Sequence, residues 1–206
     1  MAGKLNYMEE RSIHSRSKRC RLCEDTGIVL RFGLVPTPPA EWYYPEARKH
    51  LTEQTFPLDV YQCLACGHVQ LIDIIDPKAL YDTYFYTTAS SPGLTEYFKK
   101  YALHLISFLE LDSSGLVVDI GSNDGTFLHN FLEMGYDVIG VEPSKIVAEV
   151  ALKKDITTIN DFLNENVVEG VINDFGRASL ITANNVFAHN DDLSNMARCI
   201  RKLLKP

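Results

Sequence analysis

The sequence predicts an α/β fold in two parts, and three observations predict it. Two C-x2-C pairs lie in the first third of the chain, at 20–23 and 63–66. From residue 116 onward, short apolar runs alternate with helical patterns, which is typical of a parallel, doubly wound sheet. A glycine-bearing turn at 121–125 joins the first of those runs to the helix behind it.

Composition excludes some function classes. The 206 residues are 46% hydrophobic and 23% charged, as in an ordinary folded chain. The formal net charge of −7 argues against a dedicated nucleic-acid binder. No run approaches 18 apolar residues, and the N-terminus lacks the apolar segment of a secretory signal. We therefore expect no membrane span and a cytoplasmic location.

The first predicted domain covers residues 1–75. Its short, β-branched apolar runs predict short strands, and four prolines predict a loop over 36–47. This segment holds too few apolar residues to build a good core unaided. A metal ion would supply the missing stability.

The four paired cysteines are the predicted metal ligands. Two residues between cysteines let one tight turn present both thiolates to one ion, and two such turns complete a tetrahedral Zn²⁺ site. The predicted ligands are Cys20, Cys23, Cys63 and Cys66. Four thiolates leave no open position, so the zinc is structural. Gly67 suits the positive φ that such turns need, and the fifth cysteine, Cys199, is expected in a helix core.

Residues 76–112 are predicted to form a linker. A short helix and a tyrosine-rich loop occupy 76–93, and apolar residues at helical spacing predict an amphipathic helix over 94–110.

Residues 113–206 are predicted to form a partial Rossmann-like domain. Its predicted strands are LVVDI, DVIGVE, ITTIN and SLITANN. Its predicted helices are GTFLHNFLEMG, closed by Gly135; SKIVAEVALKK, capped by Ser144; DFLNENVVEG; and DDLSNMARCIRKLL. The fourth strand would lie at an open edge, which invites pairing with another chain. We therefore expect this chain to be a piece of a longer protein.

The turn at 121–125 distinguishes between two cofactors. The dinucleotide fingerprint G-x-G-x-x-G needs glycines at 123 and 126, where the chain has Asn123 and Thr126. The alternative pattern, acidic-x-G-x-G-x-G, is met at Asp119, Gly121 and Gly125. Asn tolerates a left-handed backbone better than other side chains, so Asn123 can replace the middle glycine. The pattern favours S-adenosylmethionine (SAM), which carries no phosphate, over NAD.

Acidic and amide side chains follow the predicted strands and complete the predicted cofactor site. Asp119 is placed to meet the methionine ammonium of SAM, and Glu142 to accept hydrogen bonds from the ribose hydroxyls. Asp161 is placed to meet the adenine amine or, alternatively, to cap a helix. The other predicted cofactor-binding residues are Gly121, Ser122, Asn123, Gly125, Pro143, Asn184 and Asn185. His189 follows the fourth strand and is a candidate for catalysis or for a structural role.

The ordered motifs CRLC, CLACGHVQL, LYDTYFYTTASS, VVDIGSNDGTFL, VIGVEPS and NNVFAHNDDL resemble the bacterial sugar C-methyltransferases of deoxysugar biosynthesis. The resemblance covers about residues 18–206. It implies an N-terminal zinc-binding domain and a class I SAM-dependent methyltransferase domain, followed by a C-terminal domain.

The resemblance also implies a reaction. A nucleotide-linked 4-keto-6-deoxy sugar, dTDP-linked, would lose its C3 proton to a base, and the enolate would take the methyl group of SAM. By this resemblance Tyr84 and His189 line the substrate cleft, and Tyr86 competes with Tyr84 for that role. Packing is the alternative role for these tyrosines, and it is the one expected for Tyr81.

The chain departs from the family where a C-terminal domain with a Tyr/His pair and the remaining strands would follow. We therefore expect it to bind zinc, to bind SAM weakly or not at all, and to lack methyl transfer by itself.

Two other classes stay open. A zinc-ribbon RNA methyltransferase would share the cysteines and the turn, but it would need a basic surface and a base-stacking motif. A non-catalytic, zinc-dependent interaction module would explain an incomplete sheet.

Overall fold

The computed structural model describes residues 13–40, 54–81 and 84–206. The chain divides into two compact units, Met1–Leu80 and Tyr81–Pro206. Most of the predicted proline-rich loop, 41–47, lies outside the described residues. The sequence-based division into 1–75, 76–112 and 113–206 stays a prediction.

The first unit contains two small antiparallel sheets. The strands are β1 His14–Arg16, β2 Ile28–Phe32, β3 Val60–Cys63, β4 Val69–Leu71 and β5 Asp73–Ile75. One sheet pairs β1 with β5, and the other has the order β2-β3-β4. Within the described part of this unit, only four hydrophobic residues are buried, and two of them are cysteines: Cys20, Phe56, Cys63 and Ile72. The expectation of short strands around a small core is confirmed.

The second unit contains a four-stranded parallel sheet. Its strands are β6 Leu116–Ile120, β7 Asp137–Val141, β8 Thr158–Ile159 and β9 Leu180–Thr182. Their order in the sheet is β8-β7-β6-β9. The helices of the described chain are α1 Pro77–Tyr81, α2 Pro92–Phe108, α3 Thr126–Glu133, α4 Lys145–Leu152, α5 Glu165–Phe175 and α6 Leu193–Leu203.

Both faces of this sheet are covered, so the predicted doubly wound α/β fold is confirmed. Every residue of β6 is buried, and successive side chains of a strand point to opposite faces. Val117 belongs to an apolar cluster with residues of α2 and α3. Leu116 and Val118 belong to a second cluster, which includes Cys199 of α6 and residues of α5. Cys199 is thus a core residue, as expected.

One predicted helix start and one predicted capping bond differ from the structure. Asn164, not Asp161, caps α5: its side chain accepts a hydrogen bond from Val167 N, and the helix extends to Phe175. Ser144 precedes α4, but its hydroxyl does not cap that helix. That hydroxyl donates to the Tyr84 carbonyl oxygen instead, at 2.7 Å.

In the described part of the chain, no helix combines the length and the apolar character needed to cross a membrane.

Candidate functional site

The four predicted zinc ligands come together in the first unit. Their sulfur atoms all lie within 4.8 Å of one another. The Sγ atoms of Cys20 and Cys66 are 3.7 Å apart, and those of Cys23 and Cys63 are 3.6 Å apart. A tetrahedral zinc ion with Zn–S bonds of about 2.3 Å requires sulfurs about 3.8 Å apart. The cluster therefore fits a structural Zn²⁺.

The two cysteine turns have the same backbone design. Glu24 N donates to Cys20 O, and Gly67 N donates to Cys63 O, each at 3.0 Å. The residue after the second cysteine takes a positive φ in both turns, 61° at Glu24 and 77° at Gly67. The sequence indicated this conformation only at Gly67, because glutamate carries no sign of it.

Backbone N–H groups prepare Cys63 to bind a metal ion. The N–H of Cys66, and more weakly that of Ala65, lower the pKa of the Cys63 thiol to about 7 against the opposing effect of burial. A thiolate is the form that binds zinc, so these N–H groups favour the ligating state near neutral pH.

In the second unit, the glycine-bearing turn has the predicted conformation. The positive φ values are 68° at Gly121, 52° at Asn123 and 72° at Gly125. A Cβ atom at Gly121 would lie 2.4 Å from Val186 Cγ2, so this position excludes a side chain for packing reasons as well. Asn123 thus takes the left-handed conformation that a glycine would supply.

Glu142 lies beside this turn, at the carboxyl end of β7. It is only 4% exposed. Its Oε2 accepts a hydrogen bond from Asn123 N at 2.9 Å, and its Oε1 accepts one from Ser144 N at 2.8 Å. Burial raises the pKa of the Glu142 carboxyl, and the two N–H donors oppose that shift.

Asp119 is buried within β6 and paired with the neighbouring strand. Its Oδ1 accepts a hydrogen bond of 2.6 Å from Thr182 Oγ1 of β9. Burial raises the pKa of Asp119 to about 7; the Thr182 hydroxyl opposes this shift and the charge of Glu142 adds to it. A cationic ligand nearby would favour the ionised form of this carboxyl.

The acceptors beside the turn fit SAM, and the turn lacks two glycines of the dinucleotide pattern, at 123 and 126. Each Glu142 oxygen accepts one hydrogen bond from a backbone N–H group. Each therefore keeps one further acceptor position, which suits the two hydroxyls of a ribose. Asp119 and Glu142 are acidic, whereas the buried Asp124 is paired with Lys154. The two carboxyls suit a cationic ligand with a sulfonium and an ammonium.

Two polar atoms near this turn lack a partner among the described residues. Ser122 Oγ and Asn184 Nδ2 are both buried without a hydrogen bond. Burial of an unpaired polar atom costs free energy, and a bound ligand could supply the missing partner.

The other predicted site residues lie around the strand ends. Asp161 accepts hydrogen bonds from Phe162 N and Asn164 Nδ2, so its carboxylate is engaged in the loop before α5. Asn185 has a φ of 54°. His189 is exposed in a single 3-10 turn, Phe187–His189. The Pro143 carbonyl oxygen accepts from Asn160 Nδ2.

The backbone carbonyl groups of Tyr84 and Tyr86 accept hydrogen bonds from side chains in and near the turn. Ser144 Oγ donates to Tyr84 O, and Asn123 Nδ2 donates to Tyr86 O at 2.9 Å. The rings of Tyr81 and Tyr84 are 5.9 Å apart, and Tyr81 also meets the Phe162 ring edge-on. Packing is thus the observed role of Tyr81. Sequence reasoning missed Asn123 as a contact of this segment, since the partners are 35 to 37 residues apart.

Comparison with known proteins decides the family. Residues 94–206 match a family model described as "Methyltransferase domain". The chain belongs to this methyltransferase family. Residues 20–81 match a second family, described as "Putative zinc binding domain", in agreement with the cysteine cluster.

A curated relative of the chain is also a methyltransferase. The C-methyltransferase NovU of Streptomyces niveus is 30% identical over 189 residues, which are 91% of this chain and 44% of NovU. The chain thus spans less than half the length of that relative. The predicted resemblance to C-methyltransferases with a zinc-binding domain is confirmed.

Solved structures resemble the methyltransferase domain only distantly. The magnesium protoporphyrin IX methyltransferase ChlM of Synechocystis PCC 6803, with bound SAM, has a TM-score of 0.43 and 16% identity, covering 62% of this chain and 64% of that chain. DesVI of Streptomyces venezuelae has a TM-score of 0.40 and 18% identity, covering 60% of this chain and 55% of that chain. The family assignment rests on the sequence match, not on these scores.

Proposed function

We propose that this chain is the zinc-binding and SAM-binding part of a C-methyltransferase that acts on a nucleotide-linked 4-keto-6-deoxy sugar. The observation that carries the proposal is the Glu142 carboxylate, which lies beside a turn with three left-handed residues and keeps two acceptor positions open. The family match and the similarity to NovU support methyl transfer to carbon.

We assign the cofactor residues as follows. Glu142 would accept the ribose hydroxyls, and Asp119 would pair with the cationic methionine part of the cofactor. Asp161, Asn184 and Asn185 would serve the adenine and the rest of the site, with the remaining cofactor residues Gly121, Ser122, Asn123, Gly125 and Pro143 forming the wall. When bound, SAM supplies an electrophilic methyl group on a sulfonium.

The substrate side is assigned to Tyr84, Tyr86 and His189. The ketone of a 4-keto sugar makes the C3 proton acidic, so a side-chain base near neutrality suffices to remove it. His189 is exposed and can hydrogen-bond the sugar at a ring nitrogen, while the family resemblance assigns the base itself to the Tyr/His pair of the C-terminal domain. A tyrosine hydroxyl can donate a hydrogen bond to the ketone oxygen, where negative charge develops. We place this chemistry in the cytoplasm.

The test is methyl transfer from SAM with a deuterated methyl group to dTDP-4-keto-6-deoxyglucose. The 206-residue chain and any longer product of its reading frame are assayed by mass spectrometry, and loss of the C3 proton in D₂O is followed by NMR. We expect labelled sugar from the longer product and none from the 206-residue chain alone. Failure of every form to label the sugar would contradict the proposed substrate.

The same assay separates the other two classes. Label transferred to RNA, with retention on RNA that falls as salt rises, would favour the RNA methyltransferase. Absence of SAM binding by calorimetry would favour the interaction module.

A further inference from the structure

Residues 84–89, here named the tyrosine segment, are hydrogen-bonded to the cofactor turn at successive points. Ser144 Oγ donates to Tyr84 O at 2.7 Å, and Asn123 Nδ2 donates to Tyr86 O at 2.9 Å. Thr88 N donates to Asn123 Oδ1 at 2.9 Å. The side chains of Asn123 in the turn and of Ser144 before α4 thus bind backbone groups of Tyr84, Tyr86 and Thr88.

Asp124 adds the last of these contacts. Its Oδ2 accepts from Ala89 N at 3.1 Å and forms an ion pair of 3.0 Å with Lys154 Nζ. The Asp124 side chain has no solvent exposure. A buried and paired carboxylate is a rigid acceptor, so the far end of the tyrosine segment is fixed to the start of α3.

Asn123 acts through its backbone and its side chain, and its Oδ1 also accepts from Asp124 N within the turn at 2.8 Å. Its backbone takes the left-handed φ of 52°, which a glycine would adopt more easily. Its side chain accepts from Thr88 N and Thr88 Oγ1 while donating to the Tyr86 carbonyl, which a glycine could not do. Asparagine in place of the middle glycine is therefore explained by the segment that it holds.

Glu142 connects both anchors of the segment. Its two oxygens accept from the backbone N–H groups of Asn123 and Ser144, the residues that hold Tyr86 and Tyr84. A ligand hydroxyl bound to Glu142 would stabilise this arrangement of the carboxylate, and with it both anchors.

We propose that Asn123, Asp124 and Ser144 are positioning residues that clamp the tyrosine segment to the cofactor turn, so that cofactor binding at Glu142 orders Tyr84 and Tyr86 for the sugar. This inference rests on the proposed function for its ligand. The clamp itself is a property of the free chain and is tested separately.

The test measures amide hydrogen exchange by NMR in the 206-residue chain and in the Asn123→Gly variant. Glycine keeps the left-handed backbone and the backbone donor to Glu142 but removes the side-chain bonds of Asn123 to Thr88 and Tyr86, together with its bond to Asp124 N. We expect the Thr88 amide to exchange at least tenfold faster in Asn123→Gly. The matched control is Glu110→Gly, which removes a side chain at another left-handed residue, with a φ of 49°, and should leave Thr88 exchange unchanged.

Ligand addition tests the coupling. SAM should slow exchange across residues 84–89 in the original chain and have little effect there in Asn123→Gly. In a form that methylates the sugar, Ser144→Ala keeps the backbone donor to Glu142 and removes the hydroxyl bond to Tyr84 O. It should raise the KM for the sugar and leave the KM for SAM nearly unchanged, and equal rises in both KM values would overturn the positioning role of Ser144.

Three outcomes would count against the inference, and they differ in what they overturn. Unchanged Thr88 exchange in Asn123→Gly would overturn the clamp. SAM binding without any change in the tyrosine segment would overturn the coupling. No SAM binding by the original chain would overturn the proposed function and the coupling together, with the clamp judged by the exchange of the free chain.

Discussion

At the scale of single residues, burial raises the pKa of the acidic side chains beside the turn. Asp119 is 4% exposed, and burial raises its pKa from 3.8 to about 7. Between those values the folded state binds more protons at this site than the unfolded state. The free energy of unfolding therefore falls as pH rises from about 4 through 7, and the contribution of Asp119 is gone above that range.

Substitution of Asp119 by asparagine should remove this dependence. The amide of the Asp119→Asn variant cannot titrate, so the fall in stability between about pH 4.5 and 7.5 should shrink, by on the order of 4 kcal/mol at most. Urea unfolding of the second unit, followed by its backbone NMR signals at both pH values, measures the difference between the two chains. Equal slopes in the original chain and the variant would show that Asp119 titrates normally.

The sequence predicted residue types here better than residue partners. Motif spacing placed Asp119, Glu142 and the left-handed Asn123 correctly beside one turn, because strand ends in a parallel sheet meet at one edge. Side-chain partners such as Thr88 and Asn123 are 35 residues apart, and no local pattern encodes such a pair. The positive φ of Glu24 could not be predicted from the sequence either, because the folded cysteine turn imposes it and glutamate itself does not favour it.

At the scale of secondary-structure elements, two glycines allow the effect of backbone conformation on stability to be measured without a steric clash. Gly135 follows α3 with a φ of 86°, whereas Gly93 lies in the first turn of α2 without a positive φ. An added Cβ atom would meet nothing within 4 Å at either position. A substitution by alanine therefore reports only the backbone preference.

We expect opposite signs for these two substitutions. Gly135→Ala should lower the free energy of unfolding by about 1 kcal/mol, because alanine is strained in the left-handed region. Gly93→Ala should raise it by about 0.5–1 kcal/mol, because glycine is a poor helix former. Thermal unfolding of both variants checks this, and a stabilising Gly135→Ala would contradict the assigned helix end.

Element types were predictable and element ends were not. Apolar runs and caps gave the order of strands and helices in the second unit, and glycine marked the end of α3. The α5 start was misplaced because both Asp161 and Asn164 can cap a helix, and their side chains share the same loop. Ser144 stands at the expected position, but the Tyr84 carbonyl takes its hydroxyl.

At the scale of the whole molecule, the two units differ in what stabilises them. The second unit has two apolar clusters, one on each side of its sheet. The described part of the first unit buries few apolar side chains, and four cysteine sulfurs within 4.8 Å of one another form its candidate metal site. Metal binding is then the main stabilising contribution to the first unit.

Zinc removal should therefore unfold one unit and spare the other. A strong chelator should abolish amide protection in the described first unit, residues 13–40 and 54–80, and leave β6 to β9 protected. The variant Cys66→Ser should behave like the chelated chain, while Cys199→Ala, outside the cluster, should keep its zinc. Native NMR signals from the first unit after complete zinc removal would contradict a structural metal site.

The central claim is that the turn at 121–125 and Glu142 bind SAM. Isothermal titration of the zinc-loaded chain with SAM tests it most directly, with NAD as the comparison ligand and Glu142→Gln as the comparison chain. Whereas the sequence alone allowed weak SAM binding or none, the turn and Glu142 lead us to predict one weakly bound SAM per chain and no detectable NAD binding. In Glu142→Gln, whose amide cannot accept from both backbone donors and both ribose hydroxyls, SAM binding should be at least tenfold weaker. No heat of SAM binding, or equal SAM affinity in the two chains, would contradict the account.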